Sequence, residues 1–288
     1  MYALALHGGA GARRGRDYAA EIVHMREVVE RSRDSLAAGA SALDVAVAAV
    51  RELEASALYV AGRGASPNTA GDYELDACLM DGDTGLTGAV AALQGFASPI
   101  AVARAVMERT PHVLLAGAGA AAFAREAGCE AIPDPGSWFR PAGRTETNHP
   151  PRRLAHGTVG CVVRDAAGRL AAATSTGGVF GKLPGRVGDS PIAGAGAWAD
   201  ERVAVSSTGT GEFFVRTAAA AQVAHRMRFA GQDLASAGGD VIDEIGRLGG
   251  DGGLIAIDRD GAIAMPWNSE GMKRAALYPD GRIVSEVF

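Results

Sequence analysis

The chain has 288 residues, 48% of them hydrophobic, with a formal net charge of -5 and no basic run. This length buries a large core, as two average domains or one large two-layered enzyme domain. The mild charge argues against nucleic acid or an anionic membrane as the main partner, and no apolar stretch is long enough to span a bilayer.

The opening MYALALHGGAG lacks a basic leader and a complete signal pattern, so a cytoplasmic location is expected. Cys78, Cys129 and Cys161 are widely spaced, which supports neither a disulfide framework nor a Cys-ligated zinc site. Each reads as a small buried apolar residue. The 40 glycines are not periodic and cluster beside Ser, Thr and His, where glycine marks turns or backbone near a ligand.

Residues 2–6 read as a short buried strand that delivers His7-Gly8-Gly9. From Tyr18 to Ala38, apolar residues recur every three or four positions, as in a helix that Gly39 stops. Ser41 is placed to cap a second helix running to about Glu54. Ser98-Pro99 starts a third, which ends by Pro111. Residues 133–153 are rich in proline, glycine and charge and read as an exposed, mobile linker. Beyond it, Thr158–Arg164 and Arg169–Thr176 form a hairpin around Asp165–Gly168. Val203–Ser207 is another strand, and Leu254–Asp258 with Ala262–Pro266 a second hairpin. Helices are expected over about 212–230 and 233–248. Helices thus dominate the first half and strands the second, which two strand-rich layers covered by helices would satisfy.

The chemistry gathers at His156-Gly157-Thr158-Val159-Gly160, where a strand begins straight after the linker. A threonine hydroxyl is a weak nucleophile and needs a base. Making Thr158 the first residue of a chain supplies one, because an α-amino group titrates at about 7.7–8.0. Cutting the Gly157–Thr158 bond achieves this, and glycine lets a scissile peptide be approached closely. On the pentapeptide alone, Thr158 reads more readily as an ordinary strand residue after a turn. His156 reads as conformational, since the amine is already the base.

Three further segments follow: Thr174-Ser175-Thr176-Gly177-Gly178, then Leu183 to Pro191 (LPGRVGDSP), then Ser207-Thr208-Gly209-Thr210-Gly211-Glu212. With LHGGAG, ELDACLMDGDT and GGLIAID…MPWNSEGM, in this order and spacing, the chain resembles the plant-type L-asparaginase / isoaspartyl aminopeptidase family of N-terminal-nucleophile hydrolases. The resemblance covers nearly the whole chain outside the linker.

It implies an α+β fold, a four-layer αββα sandwich forming a single domain over 1–288. It also implies autoprocessing into 1–157, an α subunit carrying the linker of about 133–157, and 158–288, a β subunit. These units would assemble as a dimer of cleaved αβ units. By the same resemblance Thr158 is the nucleophile, and Thr176 supports its activation. Arg186 and Asp189 grip the substrate's α-carboxylate and α-ammonium. Thr208 and the Gly209 N–H form the oxyanion hole, and the Gly211 carbonyl helps hold the substrate amine. The substrates implied are small molecules or dipeptides: L-asparagine, hydrolysed to aspartate and ammonia, and β-aspartyl dipeptides. No organic cofactor is implied. A structural sodium is, held by the backbone of Leu53, Glu54, Gly62 and Gly64. The chain departs from the family at Val60, where asparagine usually precedes Ala-Gly-x-Gly. Within the superfamily, a glycosylasparaginase or taspase-like hydrolase is the alternative, and an uncleaved inactive scaffold of the same fold is another.

Two other patterns carry less. Gly117-Ala118-Gly119 after an apolar run is a partial dinucleotide fingerprint, and it reads as close helix packing. Gly178–Lys182 has the wrong spacing for a phosphate loop, with Leu183 where Ser or Thr would bind magnesium.

Overall fold

Small residues set how the strands stack. In the computed structural model, which describes residues 1–142 and 157–288, the first half contains β1 (Ala3–His7), α1 (Ala19–Ala37), α2 (Ala42–Ala55), β2 (Leu75–Asp81), β3 (Thr87–Leu93), α3 (Pro99–Arg109), β4 (Leu114–Ala116), α4 (Gly117–Glu126) and the short α5 (Pro135–Trp138). The second half contains β5 (Val159–Arg164), β6 (Leu170–Thr176), β7 (Ala197–Ala199), β8 (Val203–Gly209), α6 (Gly211–Thr217), α7 (Ala219–Ala230), α8 (Leu234–Arg247), β9 (Gly252–Asp258), β10 (Ile263–Ala264), β11 (Arg274–Leu277) and β12 (Ile283–Glu286). One sheet runs β12-β11-β1-β5-β6-β2-β3-β4, the other β10-β9-β8-β7. The fold is mixed α+β.

Alternation along β1 shows how the core divides. Leu4 and Leu6 pack with Val28, Val50, Leu53 and Val106 of the first three helices. Ala3 and Ala5 point the other way, into a cluster with Ala197, Ala204, Ile255 and Ile257 of the smaller sheet. Alanine on that face lets the strands approach closely. Val203, Val205 and Leu254 turn to Phe214, Val223 and Val241 of α6–α8.

The helix starts follow the sequence signals. The Ser41 side chain accepts from the Asp44 N–H, Ser98 caps α3, and Asp233 caps α8. Other readings need correction. Helices do dominate the first half, but it also holds two strands that the sequence pattern does not mark, β2 and β3, inside the large sheet. Both are buried on each face, so their sequences show no polar alternation. The helix expected over 212–230 is two, parted at Ala218 with φ 49°. Gly117 and Gly119 are not close-packing sites, because a Cβ at either would meet open space. Gly117 instead supplies the positive φ of a turn into α4.

Of the stretch read as an exposed linker, residues 133–137 are exposed as expected, but the chain is anchored at Phe139. Phe139 is buried with Ile132, Ala65 and Leu75, and stacks on Tyr73 at a centroid distance of 3.8 Å. The rest of that stretch, with His156, lies outside the described residues.

Candidate active site

Strand alternation decides which side chains share the site. Along β6, Ser175 points to the helices, where its hydroxyl donates to Glu54 Oε1 at 2.6 Å. Thr174 and Thr176 therefore face the opposite way. Thr158, just before β5, donates its hydroxyl to Thr176 Oγ1 across 3.1 Å. Thr176 Oγ1 also accepts the Gly178 N–H at 3.0 Å. Its own proton can turn to the Thr158 oxygen once that oxygen has lost its proton. Both threonines are buried.

The Gly157 side of Thr158 is walled by Val60 and the backbone of the Gly9 turn. A Cβ at Gly157 would stand 2.4 Å from Val60 Cγ2, and a Cβ at Gly9 2.7 Å from Gly157 Cα. The glycine-rich turn after β1 is thus at the site, and Gly9 adopts φ 98° there. From the same turn, the Ala10 N–H donates to Thr208 Oγ1 at 3.4 Å. Thr208 is fully buried at the end of β8 and keeps its hydroxyl proton for another acceptor. Gly209 admits no side chain, because a Cβ would lie 2.4 Å from the Asp251 carbonyl oxygen.

Arg186, Asp189 and Gly211 converge. A Cβ at Gly211 would be 2.6 Å from Asp189 Oδ1 and 3.2 Å from Arg186 Nη2. One edge of the Arg186 fork is occupied: Nε and Nη2 donate to the two Glu212 oxygens at 2.9 and 3.0 Å. This pair fixes the guanidinium plane.

Sequence reasoning missed several neighbours. Nothing local in the sequence marks Glu212 as the partner of Arg186. Asp76 pairs in register with Thr176 and is fully buried, with the Ala92 N–H donating to Oδ1 at 2.8 Å. Burial pushes its carboxyl up to about 6, against the pull of Lys182. The alternation of ELDA against ATST was the available signal. Glu54, expected only as a backbone ligand, also accepts through its side chain from Ser175, Ser98 and the Ile100 N–H. Burial drives its carboxyl to about 7.

The loop expected to hold sodium folds its carbonyls inward. A Cβ at Gly62 would stand 2.6 Å from the Glu54 carbonyl oxygen, and one at Gly64 2.1 Å from that of Tyr59. The carbonyls of Leu53, Gly62 and Gly64 each accept one hydrogen bond, from Ser56, Ala65 and Ala142. Each keeps a second lone pair. An all-oxygen donor set of this kind fits a hard cation. Among the described residues, no group of three or more His, Cys, Asp or Glu side chains is arranged to hold a metal. Cys78 and Cys161 are fully buried, and burial pushes the Cys78 thiol up to about 12.

The chain belongs to the asparaginase family, whose model matches residues 1–284. It is 48% identical over 296 residues to an isoaspartyl peptidase of Salmonella typhimurium, covering 96% of this chain and 95% of that one. It is 45% identical to an isoaspartyl peptidase of Escherichia coli, over 96% and 92% of the two chains. It is 40% identical to a plant-type L-asparaginase of Pyrobaculum calidifontis across the whole of both. Among the described residues, no helix is long and apolar enough to cross a membrane.

Proposed function

We infer that this chain is a threonine amidohydrolase that hydrolyses L-asparagine and β-aspartyl dipeptides after cutting itself between Gly157 and Thr158. The observation that carries the reading is the Thr158–Thr176 hydroxyl pair, set beside a side-chain-free Gly157. The Thr158 hydroxyl attacks the Gly157 carbonyl, its proton passes to the departing amide nitrogen, and an ester joins the two halves. Water then hydrolyses the ester, leaving a carboxylate on Gly157 and a free amine on Thr158.

That amine is the base in turnover. It takes the hydroxyl proton as Thr158 Oγ1 attacks the side-chain amide of the substrate, and Thr176 donates to the attacking oxygen. Thr208 and the Gly209 N–H take the developing oxyanion, a contribution of about 3–4 kcal/mol from such donors. The amine passes the proton to the leaving ammonia or amino acid. It then activates the water that releases aspartate. The free edge of Arg186 takes the substrate α-carboxylate. Asp189 and the Gly211 carbonyl take its ammonium.

The remaining expectations belong to the same reading. The two sheets and their helices form a four-layer αββα sandwich, supported by the three separate apolar clusters. Sodium sits among the backbone carbonyls of Leu53, Glu54, Gly62 and Gly64 and holds the loop that presents Val60. The cleaved αβ units pair as a dimer in the cytoplasm, with no nucleic acid or membrane as partner.

The test is to assay ammonia from L-asparagine and leucine from β-Asp-Leu. Release from both is expected. A processed enzyme that releases neither overturns the substrate assignment.

A further inference from the structure

An unbroken run of buried polar groups links the smaller sheet to Thr158. Thr174 Oγ1 lies 2.6 Å from Ser206 Oγ. Ser206 Oγ lies 2.9 Å from His7 Nε2. His7 Nδ1 lies 3.0 Å from the Thr158 carbonyl oxygen. His7, Thr174 and Ser206 are all fully buried.

The direction of the run follows from what each atom can do. A carbonyl oxygen only accepts, so Nδ1 carries the proton and donates to Thr158. Nε2 of the neutral ring is then an acceptor, and Ser206 donates to it. Ser206 in turn accepts from Thr174. The Gly196 carbonyl, 3.0 Å away, also accepts from the Thr174 hydroxyl, whose one proton is shared between it and Ser206 at 2.6 Å. Burial, helped by the nearby Lys273 charge and opposed by the Thr158 bond, pulls the His7 ring down to about 3. Gly160 makes room for the run, since a Cβ there would stand 2.0 Å from Ser206 Oγ and 2.4 Å from His7 Nε2.

The position of Thr158 gives the His7 bond its importance. Strand pairing begins one residue later, with Val159 opposite Ser175 and Gly160 opposite His7. Once the preceding peptide is cut, Thr158 is a chain end outside the ladder, and chain ends fray unless tied down. The Thr176 bond fixes rotation about its Cα–Cβ bond. A held carbonyl fixes rotation about Cα–C. Together they set where the amine and the hydroxyl, as a pair, sit in the site.

We propose that His7 is a positioning residue for the new N-terminus, holding the Thr158 carbonyl through Nδ1–H while Ser206 and Thr174 lock the tautomer. The proposal rests on the reading of Thr158 as an N-terminal nucleophile. His7 touches no substrate.

The test compares His7→Asn, His7→Gln, His7→Ala and Ser206→Ala, each normalised to its processed fraction. An asparagine amide nitrogen sits where Nδ1 sits, whereas a glutamine amide reaches toward Nε2. His7→Asn is expected to keep kcat within about threefold. His7→Gln and His7→Ala are expected to lose about 30- to 100-fold in kcat with KM little changed, the signature of lost positioning. Equal losses in Asn, Gln and Ala at equal melting temperature, or no loss in any, overturn the proposal.

Where a variant fails to fold or process, histidine ring nitrogen shifts of the selectively labelled wild type decide. The expected signal is a neutral ring protonated on Nδ1 between about pH 5 and 9. A ring protonated on Nε2, or one that titrates, overturns it. A wild type that neither cuts nor hydrolyses refutes the parent reading. One that does both while the variants behave alike refutes this one.

Discussion

Val60 lies against Gly157 so closely that any side chain at position 157 would overlap it, with the nearest approach at 2.4 Å. The Val60 carbonyl also accepts the Gly177 N–H at 2.8 Å, which ties this wall to the strand end carrying Thr176. The bond proposed to be cut is thus held between a fixed wall and the nucleophile.

Gly157→Ala should slow self-cleavage strongly. The added methyl moves the carbonyl away from the Thr158 hydroxyl, and a displacement of about 1 Å can cost about 100-fold in rate. A denaturing gel followed over time after purification checks this. Cleavage at the wild-type rate would show that the wall does not set the geometry.

Thr176→Val removes the hydroxyl that both accepts from Thr158 and receives the Gly178 N–H. Turnover should fall by about 100- to 10,000-fold, the span typical of lost proton-handling groups. Thr176→Ser should stay within about tenfold, because it keeps the oxygen but loses the stiffness of a β-branched side chain. Steady-state rates of ammonia release check both. Equal losses in the two variants would mean that packing, rather than the hydroxyl, is what matters.

Glu54 makes stability depend on pH. Its carboxyl is raised from 4.5 to about 7 in the folded chain, chiefly by burial. Between those values the folded state keeps a proton that the unfolded state has released. Its contribution therefore falls as pH rises through that window and is constant above it. Glu54→Gln does not titrate. Relative to the wild type it should gain about 3 kcal/mol between pH 4.5 and 8, by the usual conversion. Urea melts at several pH values check this. A difference that stays flat with pH would contradict the assignment.

The sequence made local starts and stops legible. Ser41, Ser98 and Asp233 announce their helices because a capping side chain acts within three residues. The motif threonines were legible because glycine clusters flank them. What the sequence hid depends on long-range pairing. The run from Thr174 through Ser206 to His7 spans three strands of two sheets, and only the stacking of one sheet on the other brings them together. Glu54 lies 121 positions from Ser175, so nothing local marks its side chain as a partner. The strands β2 and β3 were hidden for a different reason, since burial on both faces erases the alternation that identifies a strand.

The central claim is that one new α-amine is created at Thr158. Intact-mass analysis of active enzyme, with sequencing of the smaller fragment's N-terminus, tests it most directly. The account predicts two chains, residues 1–157 and 158–288, the second beginning Thr-Val-Gly-Cys, and a single uncut, inactive chain for Thr158→Ala. Full activity in material that contains only the intact chain would contradict it.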